Sequence, residues 1–190
     1  MDRAFVTIVS GLPRSGTSMM MQMLVAAGIE PLTDGARQGD EDNPQGYYEF
    51  EAVKKTQSDS SWLQQAGGKA VKMIYRLLYD LPTDREYRVV FMRRDLEEVL
   101  ASQSAMLERR GEGGAKLTPE QMTQAFRREL ERFDRWIGEQ DNFSILRVDY
   151  KAVVSDPLAQ AQKVCSFLGG DLDAVAMATV VDPKLYRQRS

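Results

Sequence analysis

The sequence predicts an α/β fold of the phosphate-binding-loop (P-loop) type: a parallel sheet in three layers, with helices on both faces. Two observations predict it. Short apolar, β-branched runs alternate along the chain with segments of helical periodicity, the pattern of strand–helix–strand crossovers. The first of these runs passes through "GLPRSGTS" into a helix, with Gly11 and Gly16 spaced as in G-x-x-x-x-G-K-[ST]. At 190 residues, without an internal repeat, the chain is expected to form one domain, 1–190.

The elements follow in order. Ala4 to Ser10 alternates and is β-branched, so it reads as the first strand. Thr17 to Ala27 carries Met19, Met20, Met23, Leu24 and Ala27 at helical spacing and stops at Gly28; its methionines read as core filling. Residues 33–48 are polar and glycine-rich, a loop of functional length. Glu49 to Gln65 reads as a helix, and Ala70 to Ile74 as a short strand. Tyr87 to Met92 is a buried strand ending in charge, and Leu96 to Leu107 a helix. After the flexible "RRGEGGAKL", Thr118 and Pro119 are suited to the N-cap and first turn of a helix reaching Ile137. "FSILRVDY" is a further strand. Ser155 or Asp156 caps a helix from Pro157 to Leu168, stopped by Gly169–Gly170, and a short helix follows.

Composition narrows the chemistry. The formal net charge of −3 points to neither a nucleic-acid nor a membrane-surface partner, so an anion site has to be assembled locally. No segment reads as a signal peptide or approaches the length of a transmembrane helix. The one cysteine, Cys165, excludes an intrachain disulfide and fits a reducing, cytoplasmic setting; in "AQKVCSFLG" it reads as a buried structural thiol. The absence of histidine excludes a Ser-His-Asp triad, a histidine general base and histidine-ligated metals, and with one cysteine no structural zinc site is expected.

In open α/β sheets ligands bind beyond the carboxyl ends of the strands. Three groups stand there: Gly11 to Ser18, Arg93 and Arg94, and Asp149 and Tyr150. In the first, the amides of Ser15, Gly16, Thr17 and Ser18 would face an anion at the positive end of a helix, and the hydroxyls of Thr17 and Ser18 would donate to its oxygens. Thr17 occupies the place of the usual lysine, and the positive charge sits on Arg14 instead. The plain alternative is a glycine turn with a solvated arginine. The missing lysine fits nucleoside-triphosphate hydrolysis poorly. Asp95 and Asp149 could imitate a magnesium-side carboxylate, or serve as helix caps or ion-pair partners. In "RRDLEEVLAS", Arg94 and Ser102 could share a second phosphate. Equally, Arg93 and Arg94 could pair with Glu97 and Glu98.

These motifs together resemble the sulfotransferases that use 3′-phosphoadenosine 5′-phosphosulfate (PAPS). "GLPRSGTS" is similar to their 5′-phosphosulfate loop in its P-R-S-G-T form, "RRDLEEVLAS" to their 3′-phosphate motif R-x-x-x-x-x-x-x-S, and "YKAVVSDP" to their Y-E-D-x-x-x-[ND]-P stretch. The resemblance spans Gly11 to Pro157. It implies transfer of a sulfuryl group from PAPS to a hydroxyl or amine of a small-molecule or carbohydrate acceptor, without a metal, leaving 3′,5′-adenosine bisphosphate. It implies that Arg14, Ser15, Gly16, Thr17, Ser18, Arg94, Ser102 and Tyr150 hold the cosubstrate, Tyr150 at an adenine-contacting position. Arg14 and Lys72, the latter similar to the lysine of the family's K-T-H segment, would stabilise the leaving phosphate. The catalytic histidine of that segment is replaced by Ile74. A glutamate serves instead in some branches of the family, which points first to Glu49, then to Glu51, Glu41 and Asp42. Where the family closes a glycine- and lysine-rich segment over the 3′-phosphate, this chain has Lys184, Arg187 and Arg189, which could substitute for it or form a plain solvated basic tail. The rival readings are an ATP- and magnesium-dependent kinase and a non-catalytic nucleotide-binding protein.

Overall fold

The computed structural model describes residues 5–35, 39, 46–109 and 118–182. Glu41, Asp42, Lys184, Arg187 and Arg189 lie outside them, as does most of "RRGEGGAKL". Five strands form one sheet: β1 (Phe5–Gly11), β2 (Pro31–Leu32), β3 (Ala70–Lys72), β4 (Glu86–Arg93) and β5 (Phe143–Asp149), in the order β2-β3-β1-β4-β5. Every pairing is parallel. The helices are α1 (Thr17–Ala26), α2 (Leu96–Arg109), α3 (Pro119–Gly138), α4 (Tyr150–Ser155), α5 (Pro157–Leu168) and α6 (Ala174–Thr179). The α/β class, the parallel sheet and its two helical layers are as the sequence predicts.

Strand alternation divides the core into two layers. Val6 and Ile8 of β1 and Tyr87, Val89 and Phe91 of β4 face Phe133 and Ile137 of α3, together with Trp62, Leu63 and Leu78. Val9, Val90, Met92 and Val148 face the opposite side and pack on Met20, Met21, Met23 and Leu24 of α1, Val153 of α4, Val164 of α5 and Met177 of α6. The α1 methionines are core filling, as read. Cys165 is half-buried; its Sγ lies 3.5 Å from Met177 Sδ, and burial pushes its thiol pKa up, which suits a structural group.

Four local features depart from the sequence reading. Glu49 to Gln65 is not one helix but two 3₁₀ stretches, Glu51–Lys55 and Ser61–Gln65. The polar run between them gives the backbone other partners: Thr56 Oγ1 donates to the Val53 carbonyl, Ser58 Oγ to the Lys55 carbonyl, and Asp59 Oδ1 accepts the Ser61 amide. Trp62 Nε1 then donates to Thr56 Oγ1 and ties the two stretches together. Pro31–Leu32 forms an edge strand too short for periodicity to reveal, and Tyr75–Asp80 is a third 3₁₀ stretch. Strand β5 stops at Asp149 because that residue caps α4, its carboxylate accepting the Ala152 amide at 3.0 Å. The other caps match. Thr118 and Gln121 exchange hydrogen bonds in a capping box ahead of Pro119, and Asp156, rather than Ser155, caps α5.

Tyr87 illustrates how closely the core is filled. It is buried, stacks on Phe143 at 4.8 Å between centroids, and donates its hydroxyl to the Pro82 carbonyl at 2.9 Å. Burial pushes its pKa from 10.0 up to about 12. The folded state therefore holds this proton more tightly than the unfolded chain does. The stabilisation is complete below pH 10 and is lost as pH rises through about 12. Denaturant midpoints measured across this range should fall more steeply for wild type than for Tyr87→Phe; parallel slopes would show that Tyr87 does not titrate with unfolding.

Candidate active site

Strand register brings the motifs to one edge. Gly11 lies level with Met92, and Arg93 with Asp149, so the chain leaves β1, β4 and β5 at nearly the same height. Lys72 is level with Val9 on the other side of β1. The strand order reverses around β1, which is where such sheets open a ligand crevice.

The loop from Gly11 to Gly16 is held from within. Ser15 is buried; its hydroxyl donates to the Leu12 carbonyl at 2.7 Å, and its amide to the same oxygen at 3.2 Å. Ser15 thus closes the turn, and its amide does not face an anion as the sequence suggested. The helix-terminal amides follow it. Gly16 is the N-cap of α1 with φ 97° and no side-chain cap, so the first-turn amides lack intrahelical carbonyls and offer a positive helix end. Arg14 adopts a left-handed φ of 68°, uncommon outside glycine. Its Nε donates to Ser102 Oγ at 3.0 Å, and its carbonyl accepts from Arg94 Nη1 at 3.3 Å. The loop cation thereby joins the two predicted anion sites.

Arg94 makes the ion pair that its spacing from Glu98 allowed. It belongs to this cluster, and it also pairs with Glu98: Nε donates to Oε2 at 2.8 Å, with the two side chains 9% and 4% exposed. Its guanidinium lies 4.6 Å over the ring of Tyr150. Tyr150 is itself buried, and burial pushes its phenol pKa up while the Arg94 charge draws it down. The ring also meets Gly16, where an added Cβ would fall 2.4 Å from Tyr150 Cδ2. Tyr150 is therefore the floor on which the loop and Arg94 rest, rather than an open platform. Ser102 is buried on α2 and reaches the cluster through Arg14.

Lys72 stands at the first turn of α1. Its Nζ donates to Ser18 Oγ at 3.3 Å and to the Tyr47 carbonyl, and lies 5.7 Å from the Tyr47 ring centre. Thr17 and Ser18 open α1. Glu49 is half-buried two residues after Tyr47, and its carbonyl accepts from Thr33 Oγ1 at 2.8 Å and from the Asp34 amide. Those bonds anchor its backbone beside the end of β2. Glu51 pairs with Lys54 in the open. Ile74, just beyond Lys72, is 43% exposed despite its apolar side chain.

The two aspartates that could have imitated a magnesium ligand are both helix caps. Asp95 Oδ1 accepts the Glu97 amide at 2.8 Å and the Glu98 amide at 3.3 Å, and Asp149 caps α4. Among the described residues, no helix is long and apolar enough to cross a membrane. The sequence reading did not assign Tyr47 or Glu98 to the site. Glu98 had a visible signal in its i,i+4 spacing from Arg94; the Tyr47 carbonyl had none, because a backbone acceptor carries no residue signature.

Comparisons with known proteins agree with this architecture. Residues 85–174 match the model of the sulfotransferase family, a segment holding Arg94, Ser102 and Tyr150 but not the loop after β1. The fold is similar to that of sulfotransferase STF1 from Mycobacterium tuberculosis H37Rv, at 17% identity and a TM-score of 0.56 over 92% of this chain and 70% of that one. It is also similar to a sulfotransferase from Alicyclobacillus acidocaldarius, at 14% identity and a TM-score of 0.50 over 96% and 88% of the two chains. No curated protein matches the sequence significantly.

The Gly16–Tyr150 contact makes a test. Gly16→Ala combines a clash with a left-handed φ and should lose about 2 kcal/mol or more. Gly28→Ala, with φ 92° but nothing within 4 Å of its Cβ, should lose only about 1–2 kcal/mol of backbone strain. Equal losses in urea unfolding would contradict the packing of Tyr150 beneath the loop.

Proposed function

We propose that this P-loop sulfotransferase-family domain transfers a sulfuryl group from PAPS to a hydroxyl or amine of a small-molecule or carbohydrate acceptor. The observation that supports it is the connected cluster Ser102–Arg14–Arg94–Tyr150 beside the N-terminus of α1. It sets two candidate anion sites side by side, one at helix amides and one at Arg94 with Ser102. A nucleotide carrying phosphates at both the 3′ and the 5′ position matches such a pair.

In this reading the 5′-phosphosulfate lies against the first turn of α1, near Thr17, Ser18 and Lys72. The 3′-phosphate lies against Arg94 and Ser102. The acceptor oxygen or nitrogen attacks sulfur in line, from the side opposite the bridging oxygen. As the new bond to sulfur forms, the bond from sulfur to the bridging oxygen breaks, and its electron pair stays on the departing phosphate. Lys72 and Arg14 stabilise that charge. The acceptor proton passes to a carboxylate, for which Glu49 is the candidate because Tyr47, two residues before it, already touches Lys72. The commitment of Asp95 and Asp149 to helix caps tells against the kinase reading.

Calorimetric titration with 3′,5′-adenosine bisphosphate, with ATP plus magnesium alongside, tests the cosubstrate. Arg94→Ala strands the Glu98 carboxylate in the interior, so Ser102→Ala is the cleaner variant. The bisphosphate should bind wild type and lose about tenfold with Ser102→Ala. Preference for ATP and magnesium would contradict the reading.

A further inference from the structure

We infer that Glu98 is a positioning residue: it aims the Arg94 guanidinium so that this domain distinguishes a nucleotide bearing a 3′-phosphate from one without it. The inference rests on the PAPS reading and adds to it a residue with no direct phosphate contact.

The geometry carries it. A surface i,i+4 pair contributes little and fixes little, but the Arg94–Glu98 pair is almost wholly buried. Its bond is made at Nε, the inner edge of the guanidinium. A second bond, from Nη1 to the Arg14 carbonyl, and the Tyr150 ring at 4.6 Å restrict the same planar group. Three contacts from three elements thus set its position and tilt. Glu98 is in turn fixed from its own backbone, because Asp95 Oδ1 accepts its amide at the start of α2. The backbone that carries the carboxylate is thus set by the start of α2, and the burial of the side chain leaves the carboxylate little space to follow a rotating arginine. Arginine recognises phosphate through a planar fork, so orientation governs affinity more than charge does.

A different role for Glu98 is simple neutralisation of a buried cation. The two roles make opposite predictions for two conservative variants. Glu98→Asp keeps the charge and shortens the reach by one methylene. Glu98→Gln keeps the reach and an oxygen acceptor for Nε, and removes the charge. Each folded variant is titrated with 3′,5′-adenosine bisphosphate and with adenosine 5′-monophosphate, and the ratio of the two dissociation constants is compared with wild type. Positioning predicts that Glu98→Asp lowers this ratio about tenfold, through loss of the bisphosphate alone, while Glu98→Gln stays within about threefold. Adding Glu98→Asp to Arg94→Gln should change the ratio no further. A wild-type ratio in Glu98→Asp, or an equal weakening of both nucleotides, overturns the inference. A wild-type protein that fails to prefer the bisphosphate would instead defeat the PAPS reading on which it stands.

Discussion

Parallel pairing of β4 with both β1 and β5 is the constraint on which the site depends. Its register sets Gly11 beside Met92 and Arg93 beside Asp149. The next residues in each chain, the loop after Gly11, Arg94 and Tyr150, then have no room to be anywhere but together. A slip of one residue in either pairing would exchange the strand's two faces and turn Val89 and Phe91, which pack with Phe133, into the layer now filled by Val90 and Met92. The site inherits its precision from the core, because the side-chain pattern that fills the two layers is what fixes the register.

Within that frame one buried cation links the parts. Arg94 touches Glu98, the Arg14 carbonyl and the Tyr150 ring, and Tyr150 touches Gly16. Removing an ion from water is costly unless its partners are well placed, and here the partners come from the loop, from α2 and from α4. The arrangement also answers how a chain of net charge −3 can present an anion site. Arg14, Lys72 and Arg94 are gathered by topology, and the carboxylate of Glu98 offsets Arg94 within the cluster. A local field needs neither a basic protein nor a basic surface.

What was legible in the sequence was local. The glycine spacing of the loop, the N-cap at Thr118 and the alternation of the longer strands each depend on residues within a few positions of one another, and these were found. Arg94 and Ser102 were legible as a spacing, although the bridge between them, Arg14, comes from 88 residues away from Ser102. The helix expected over Glu49 to Gln65 failed because its apolar spacing ignored what Thr56, Ser58 and Asp59 do to a backbone. The burial of Tyr150 and the inward turn of Ser15 were illegible for a different reason: both follow from strand register and loop closure, which no window of sequence contains. The Tyr47 carbonyl on Lys72 belongs to the same class.

The account's central claim is that two anion sites, at the start of α1 and at Arg94 with Ser102, hold one nucleotide between them. A crystal structure with 3′,5′-adenosine bisphosphate bound tests this most directly. The account predicts the 5′-phosphate on the first-turn amides of α1 near Lys72, and the 3′-phosphate within hydrogen-bonding distance of both Arg94 and Ser102. A nucleotide whose phosphates all sit in the loop after β1, with Arg94 still turned to Glu98 and touching no phosphate, would contradict it.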